Sequence, residues 1–295
     1  MSYVILDLEW NGSYSKRLHK YVNEIIEFGA VKVDDDFNLV DTFSVLISPK
    51  IGKKLCSKVK ELTKITNEEL AKSGVSFLQA SEEFIDFIGD SVLMTWGISD
   101  IHALIENYNY HTNNYHLPFL KKYCDIQKYC AKALDKYDPS SQMGLSTCAE
   151  LLNITFEEDE QHRAFIDAEL SLKCIKALID EYPVESHIKE VNESFYDKIT
   201  FKTHFITDYN SPDIDKSKMR FHCDNCGKRV RRLNDWRLHN KCFSAEFKCK
   251  HCQRNFIGRV SFKKKFDSVV VKKKIIEKSD KKSTASNAVC TDNNV

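Results

Sequence analysis

The sequence predicts an α/β fold, a mixed sheet flanked by helices, joined to a small cysteine-rich second domain. Three observations predict it. Strand-like runs come early and in pairs and then alternate with amphipathic helical stretches. Carboxylates fall on one face of the first strand and near the starts of later helices. Two C-x2-C pairs lie within a basic C-terminal stretch.

The first element, YVILDLEW, reads as a buried strand whose period of two puts Asp7 and Glu9 on one face and Leu6 and Leu8 on the other. Turn material follows at Asn11-Gly12. The runs IIEFGAVKV and LVDTFSVLIS flank residues 34–38, DDDFN, as a hairpin flanks its loop. Thr66 and Glu69 form a capping box opening a short helix, and FLQASEEFIDFIG has the apolar spacing of an amphipathic helix. SVLMTWG returns as a strand. A helix over about 99–108 then starts with Ser99 or Asp100 near its N-terminus, where partial positive charge favours a carboxylate. FLKKYCDIQKYCAKAL and LSTCAELLN read as helices, and a last helix runs from about Arg163 to Ile179. Tyr182-Pro183 stops it, which sets the first domain at 1–183. Residues 184–218 read as a linker or accessory segment, 219–278 as a basic four-cysteine domain, and 279–295 as a disordered tail too poor in apolar residues to order itself.

Hydrophobic residues make up 42% of the 295-residue chain and charged residues 29%, a globular balance. No stretch approaches the roughly 18 uninterrupted apolar residues of a membrane span, and the N-terminus lacks a signal-like apolar run, so a soluble, cytoplasmic protein without a membrane partner is expected. Eleven Cys without a secretory signal favour reduced thiols and metal ligands over disulfides. The net charge of +1 conceals a division: residues 1–215 carry 22 Lys/Arg against 36 Asp/Glu, and residues 216–282 carry 22 against 6. An acidic, cation-collecting body is thus joined to a tail suited to polyanions.

Asp7, Glu9, Asp100 and Asp167 supply four hard oxygen donors, and His162 stands five residues before the last of them. Each alone has an ordinary reading: a solvated strand face, a helix cap, a surface histidine. Their ordered combination suits phosphodiester hydrolysis, in which two Mg²⁺ or Mn²⁺ ions activate water and hold the leaving oxygen. At about 100° per residue, His162 and Asp167 would stand about 140° apart on one helix and could not share a face. His162 is therefore expected in the loop before the helix. With an ordinary pKa near 6.5, it can take a proton from the attacking water there.

Over about Tyr3 to Ile179 these motifs, D-x-E, a central Asp and H-x4-D, resemble the DnaQ-like, or DEDDh, 3′-to-5′ exonuclease family. The text ILDLEWN, EIIEFGAV, LTKIT, TWGISD and HRAFIDAE is similar to the branch that includes histone-mRNA and small-RNA trimming exoribonucleases and KapD-like proteins. The resemblance implies an RNase H-like catalytic fold, with Asp7, Glu9 and Asp167 on the first metal and Asp7 bridging to the second. It further implies that Asp100 supports the second metal through water, and that His162 is the general base. Leu62-Thr63-Lys64-Ile65-Thr66 is similar to a family stretch near the terminal nucleotide, with Lys64 where Gly is usual. Thr63, Lys64, Trp10 and Asn11 are accordingly expected near the nucleotide, with core packing an equal reading for Trp10.

Cys223 and Cys226, and Cys249 and Cys252, form two knuckles able to complete one closed Zn²⁺ site, structural because four thiolates leave no open position. Arg229, Arg231, Arg232, Arg237 and Lys263, Lys264 and Lys265 surround them with interspersed aromatics, a pattern fit to track phosphates and stack bases. The expected function is a 3′-to-5′ exoribonuclease acting on single-stranded RNA 3′ ends. The alternatives are a DNA exonuclease of proofreading or repair type, and a non-catalytic nucleic-acid-binding scaffold.

Overall fold

A computed structural model describes residues 1–52, 54–138, 141–156 and 163–277. The chain divides into two compact units between Thr200 and Phe201. Unit 1 is built on a six-stranded sheet of order β3-β2-β1-β4-β5-β6, comprising β1 (Tyr3–Ser15), β2 (Lys20–Val33), β3 (Leu39–Leu46), β4 (Val92–Thr95), β5 (Lys122–Asp125) and β6 (Lys189–Glu190). β4 runs parallel to both β1 and β5, and the remaining neighbours are antiparallel. This is the mixed α/β, RNase H-like architecture that the early strand pairs foretell.

The alternation along β1 divides the core. Val4, Leu6 and Leu8 pack with α3 (Phe77–Ile88) and α4 (Ser99–Thr112) on one face. Tyr3 and Ile5 pack with α5 (Ile126–Ala133), α6 (Leu145–Leu151) and α7 (Ala164–Lys176) on the other. Both layers bury apolar side chains against the inner strands, so a carboxylate there needs a reason. Asp7 and Glu9 lie just past Leu6, where the pairing of β1 with β4 ends. That is the carboxyl end of parallel strands, where α/β sheets open a crevice.

Several expectations are corrected. Asn11-Gly12 does not turn the chain; β1 runs on to Ser15 because β2 pairs with it over that whole length. The helix expected over 119–134 is a strand followed by a helix. β5 fits between β4 and β6 with Tyr123 and Cys124 buried, and the Asp125 side chain accepts from Lys128 N at 3.0 Å to start α5. Periodicity could not separate a short buried strand from the helix beside it. Half of the expected capping box is present: Thr66 Oγ1 accepts from Glu69 N at 3.0 Å and opens α2 (Asn67–Ser73), which follows α1 (Ser57–Thr63).

The boundary of the two compact units falls between Thr200 and Phe201, inside the span 184–218 read as a linker or accessory segment and not at Tyr182-Pro183, because both ends of that span pack into a core. Val184 is fully buried in the α5–α7 layer, and in α8 (Glu193–Thr200) Tyr196 joins the opposite layer and exchanges hydrogen bonds with Leu117. Ile206, Ile214 and Met219 belong to the core of unit 2. The tail expected over 279–295 lies outside the described residues.

Unit 2 is a second sheet, with β10 (Cys242–Lys248), β11 (Asn255–Lys264) and β12 (Val269–Glu277) in order and short strands β7 (His204–Phe205), β8 (Arg231–Arg232) and β9 (Arg237–His239) pairing at their edges. Phe221, Phe243, Phe247, Phe256 and Phe262 are buried in its core, so half of its aromatic residues fill the interior. No helix among the described residues is long and apolar enough to cross a membrane.

Candidate active site and zinc centre

Asp7, Glu9 and Asp167 each offer a carboxylate oxygen, and the three oxygens lie within 4.8 Å of one another. Two elements bring them together. β1 presents Asp7 and Glu9, and α7 contributes Asp167 from its first turn. α7 can reach the strand because Gly29, the cross-strand partner of Asp7, has no side chain. A Cβ there would overlap Phe165 N and Ala164 C and stand 2.6 Å from Phe165 Cα.

The start of α7 is clamped by Glu27, the cross-strand partner of Glu9. Glu27 is 1% exposed; it takes Arg163 Nη2 at 2.6 Å and Nε at 3.1 Å, and accepts from Ala164 N at 3.1 Å. The hydrogen bond to Glu27 keeps the guanidinium above its ordinary pKa, although burial opposes this. Glu27, Arg163 and Gly29 were assigned no role by sequence reasoning. The signal was strand register, which sets each of the two β2 residues opposite a ligand.

Between Glu9 and Trp10 the register shifts: Glu9 faces Glu27 but Trp10 faces Ile25, leaving Ile26 as the extra residue of a β-bulge. Beyond it, Glu24 is buried and accepts from Lys50 N, Ile51 N, Gly52 N and Ser13 Oγ. Ile26 packs with Leu55, Ile65 and Leu70 under the same segment. The loop that leads to Thr63 and Lys64 is thereby fastened to the strand that faces the ligands.

Asp100 stands in the first turn of α4, 3% exposed and outside the compact group of three. Burial pushes its carboxyl up to about 7, while hydrogen bonds from its own and the Leu8 backbone act in the other direction and Asp167 adds repulsion. Asp7 is driven well above the carboxylate range by burial, then by Asp100, Asp167, Glu9 and Glu27. Glu9 is raised to about 8, by burial first and Asp167 next. Converging hard oxygen donors that burial and mutual repulsion push towards the neutral form are what a divalent cation fits. His162, expected as the base, lies outside the described residues. α7 begins at Ala164, and its first turn carries Asp167.

The raised Glu9 pKa predicts a pH dependence. Against an ordinary value of 4.5, a folded value of about 8 means that the folded protein holds the extra proton between them. Stability present below pH 4.5 is lost as pH rises towards 8. The Tm of metal-free protein should fall over that interval, and Mg²⁺ or Mn²⁺ should restore it most at the alkaline end. A flat profile with no cation effect would contradict this packing of carboxylates.

The residues expected near the nucleotide divide. Asn11 is 2% exposed and fully engaged inside: its Oδ1 accepts from Cys56 N at 3.0 Å and its Nδ2 donates to Ser13 Oγ at 3.0 Å. Its place in the structure is to hold the chain entering α1. Thr63 is also buried, donating to Val59 O and accepting from Ile65 N. Trp10 is half-buried against the α3–α4 layer. Lys64 is exposed and caps α1 at φ +59°, a left-handed conformation that accounts for glycine as the residue usual there.

In unit 2, one sulfur from each of Cys223, Cys226, Cys249 and Cys252 lies within 4.8 Å of the others, and the Cys223–Cys252 and Cys226–Cys249 pairs are 3.5 Å apart. Tetrahedral Zn–S bonds of about 2.3 Å imply sulfur separations of about 3.8 Å, so the cage fits zinc. Both knuckles turn tightly. Cys223 N donates to Lys228 O at 2.8 Å and Cys249 N to Arg254 O at 2.9 Å, with Gly227 and Gln253 at positive φ. Around this cage Arg229, Arg231 and Arg232 lie exposed, and Arg237 is exposed on β9. Lys263 and Lys264 are half-buried on β11, and Lys264 is paired with Asp213 at 2.5 Å; Lys265 is exposed.

The chain is similar to "Probable 3'-5' exonuclease KapD" of Bacillus subtilis (strain 168), at 34% identity over 127 residues covering 40% of this chain and 56% of that protein. It is also similar to "DNA polymerase III PolC-type" of Thermotoga maritima, at 34% identity over 93 residues covering 32% of this chain and 6% of that protein. The chain thus spans little more than half of the one relative's length and a small fraction of the other's. Among solved structures, the nuclease domain of 3'hExo, a DEDDh family member bound to rAMP, superposes with a TM-score of 0.55 at 24% identity, covering 65% of this chain and 97% of that one. That likeness shows the fold. The Exonuclease family RNase_T matches residues 4–175, the span that holds Asp7, Glu9, Asp100 and Asp167. Since that match covers more than half of the sequence, the chain belongs to the RNase_T exonuclease family.

Proposed function

We propose that this protein is a metal-dependent 3′-to-5′ exoribonuclease that releases nucleoside 5′-monophosphates from single-stranded 3′ ends, with a zinc-stapled basic unit that grips the strand. The observation that carries the reading is the convergence of Asp7, Glu9 and Asp167 at the carboxyl end of the parallel strands. Two bound Mg²⁺ or Mn²⁺ ions would supply an activated water and neutralise charge on the departing 3′ oxygen.

The chain's own residues do the rest. Asp7, Glu9 and Asp167 hold the cations, and Asp100 supports them from α4. His162 takes the proton of the attacking water. Glu27 and Arg163 fix the start of α7, so that Asp167 keeps its place when the strand binds. Cys223, Cys226, Cys249 and Cys252 hold one Zn²⁺ that staples unit 2, and reduced thiols suit a cytoplasmic setting. The preference for RNA is supported by the branch of the family that the sequence resembles. A second reading, DNA as substrate, is favoured by the similarity to the polymerase named above.

Digestion of 5′-labelled RNA and DNA oligonucleotides of one sequence, by wild type and His162→Ala in Mg²⁺ or Mn²⁺, tests both. Expected is stepwise shortening from the 3′ end, faster on RNA, with the His162→Ala rate lower by about 10²–10⁴, the range of general-base catalysis. Faster loss of DNA would overturn the RNA preference. No metal-dependent cleavage of either would leave a nucleic-acid-binding scaffold.

A further inference from the structure

Unit 2 contains two adjoining hollows, of about 450 and 500 Å³, that share one wall, Arg229-Val230-Arg231. The first has an aromatic floor. Phe221 and Phe247 are buried beneath it, and the half-buried Trp236 lies beside them, its ring centroid 6.3 Å from that of Phe221 and 5.7 Å from that of Phe247. Its rim is cationic. Arg232 stands 5.9 Å over the Trp236 ring and Lys216 stands 4.6 Å over the ring of Tyr209, which also lines the hollow. The second hollow continues the charge beside the zinc knuckles with Lys228, Lys250 and His251.

No carboxylate lines either hollow among the described residues. Of the rim cations Arg232 is paired, with Asp235 at 3.4 Å, and elsewhere in the unit Arg254 pairs with Asp224 and Glu277 and Lys264 with Asp213, whereas no ion pair joins Arg229, Arg231, Lys228 or Lys250 among the described residues. Cations gathered without matching acids repel one another, and a polyanion relieves that repulsion. Charge alone would serve any phosphate backbone. The aromatic floor narrows the choice, because a ring at the bottom of a hollow can be stacked upon by an unpaired base but not by one held inside a duplex. The volume lies at the lower end of small-ligand sites, which suits one nucleotide.

We infer that the first hollow binds one unpaired nucleotide of a single-stranded nucleic acid. Its base lies against Trp236, its phosphates lie on Arg229 and Arg231, and the next nucleotide crosses the shared wall into the second hollow. The inference rests on unit 2 being a nucleic-acid grip and locates that grip at two places rather than over the whole basic surface. The same chemistry could come from a free nucleotide, and the test separates the two sources.

The full chain carrying Asp167→Asn, which should bind without cutting, can be titrated with a fluorescent single-stranded RNA, a blunt duplex of equal length, and AMP as competitor. Trp236→Ala should weaken single-strand binding about tenfold or more and leave the duplex within about twofold, as expected for loss of one stacked base. Arg231→Ala should weaken binding and lower the salt slope by about 1. Trp236→Phe should restore most of the affinity. If Trp236→Ala loses its zinc, cross-linking of the zinc-loaded protein with 5-iodouridine RNA decides instead. An adduct on Trp236 or Tyr209 supports the site, and adducts confined to unit 1 overturn it. Displacement of the strand by submillimolar AMP would make this a free-nucleotide site and overturn the strand reading. If Trp236→Ala and Arg231→Ala bind normally while Lys263→Glu with Lys265→Glu binds weakly, the hollow is wrong and the grip stands. If all of these bind normally, the nucleic-acid role of unit 2 fails as well.

Discussion

Asp167→Asn should lower turnover by about a thousandfold or more while raising the Tm of the metal-free protein. The loss is argued from the ligand set. Asp167 brings the α7 oxygen to a group otherwise supplied by β1, and its amide replacement carries no charge to hold a cation. Residues that merely orient metal ligands change affinity or activity by about 10–100-fold when replaced, so loss of a charged ligand should exceed that. The gain is argued from repulsion. Asp167 is the largest charged contributor to the raised Glu9 pKa after burial, and it also acts on Asp7 and Asp100. Removing it relieves all three when no cation is present. Single-turnover cleavage and thermal unfolding with and without Mg²⁺ check both halves. Substantial residual rate would take Asp167 out of the ligand set; a lower metal-free Tm would show that its carboxylate is not under repulsive load.

Gly29→Ala should cost about a hundredfold in turnover and about 3 kcal/mol in stability, although residue 29 carries no functional group. The added methyl overlaps Ala164 C and Phe165 N, backbone atoms that no rotamer change can move. Overpacking of this kind costs about 1–3 kcal/mol and sometimes more. α7 must retreat from β2 and take Asp167 with it, and a displacement of about 1 Å at a catalytic centre costs about 10²-fold. Kinetics at saturating metal and denaturant unfolding measure the two effects. Wild-type turnover in Gly29→Ala would mean that α7 is positioned by something other than this close approach. Gly12, with open space around the same built atom, is the natural control and should tolerate alanine far better.

How much of this was legible beforehand depends on the range of the interaction. Asp7 and Glu9 were readable because strand alternation is local, and the Thr66 cap because its bond to Glu69 N spans three residues. Asp167 and the four cysteines were readable because their spacing carries chemistry. Glu27 and Gly29 were not, since their roles come from lying across a strand from Glu9 and Asp7 and beneath α7. β5 was misread because a strand of four residues, three of them buried, runs straight into an amphipathic helix and leaves no periodicity of its own. The edge at Thr200 was missed because Tyr196 and Ile206 enter different cores, which no nearby residue announces.

The bulge at Ile26 adds one residue to β2 without changing the side to which its two buried glutamates point. Glu24 and Glu27 are separated by an odd number of positions, so an unbroken strand would send their side chains to opposite sides. With the extra residue, both point the same way: one holds the loop before α1, the other the start of α7. Deleting Ile26 would leave Glu24 and Glu27 two positions apart in an unbroken strand, still on one side, and would remove the side chain that packs with Leu55, Ile65 and Leu70 under the loop before α1. The bulge thus serves the loop more than the alignment of the two carboxylates: it inserts an apolar anchor between them without turning either one away.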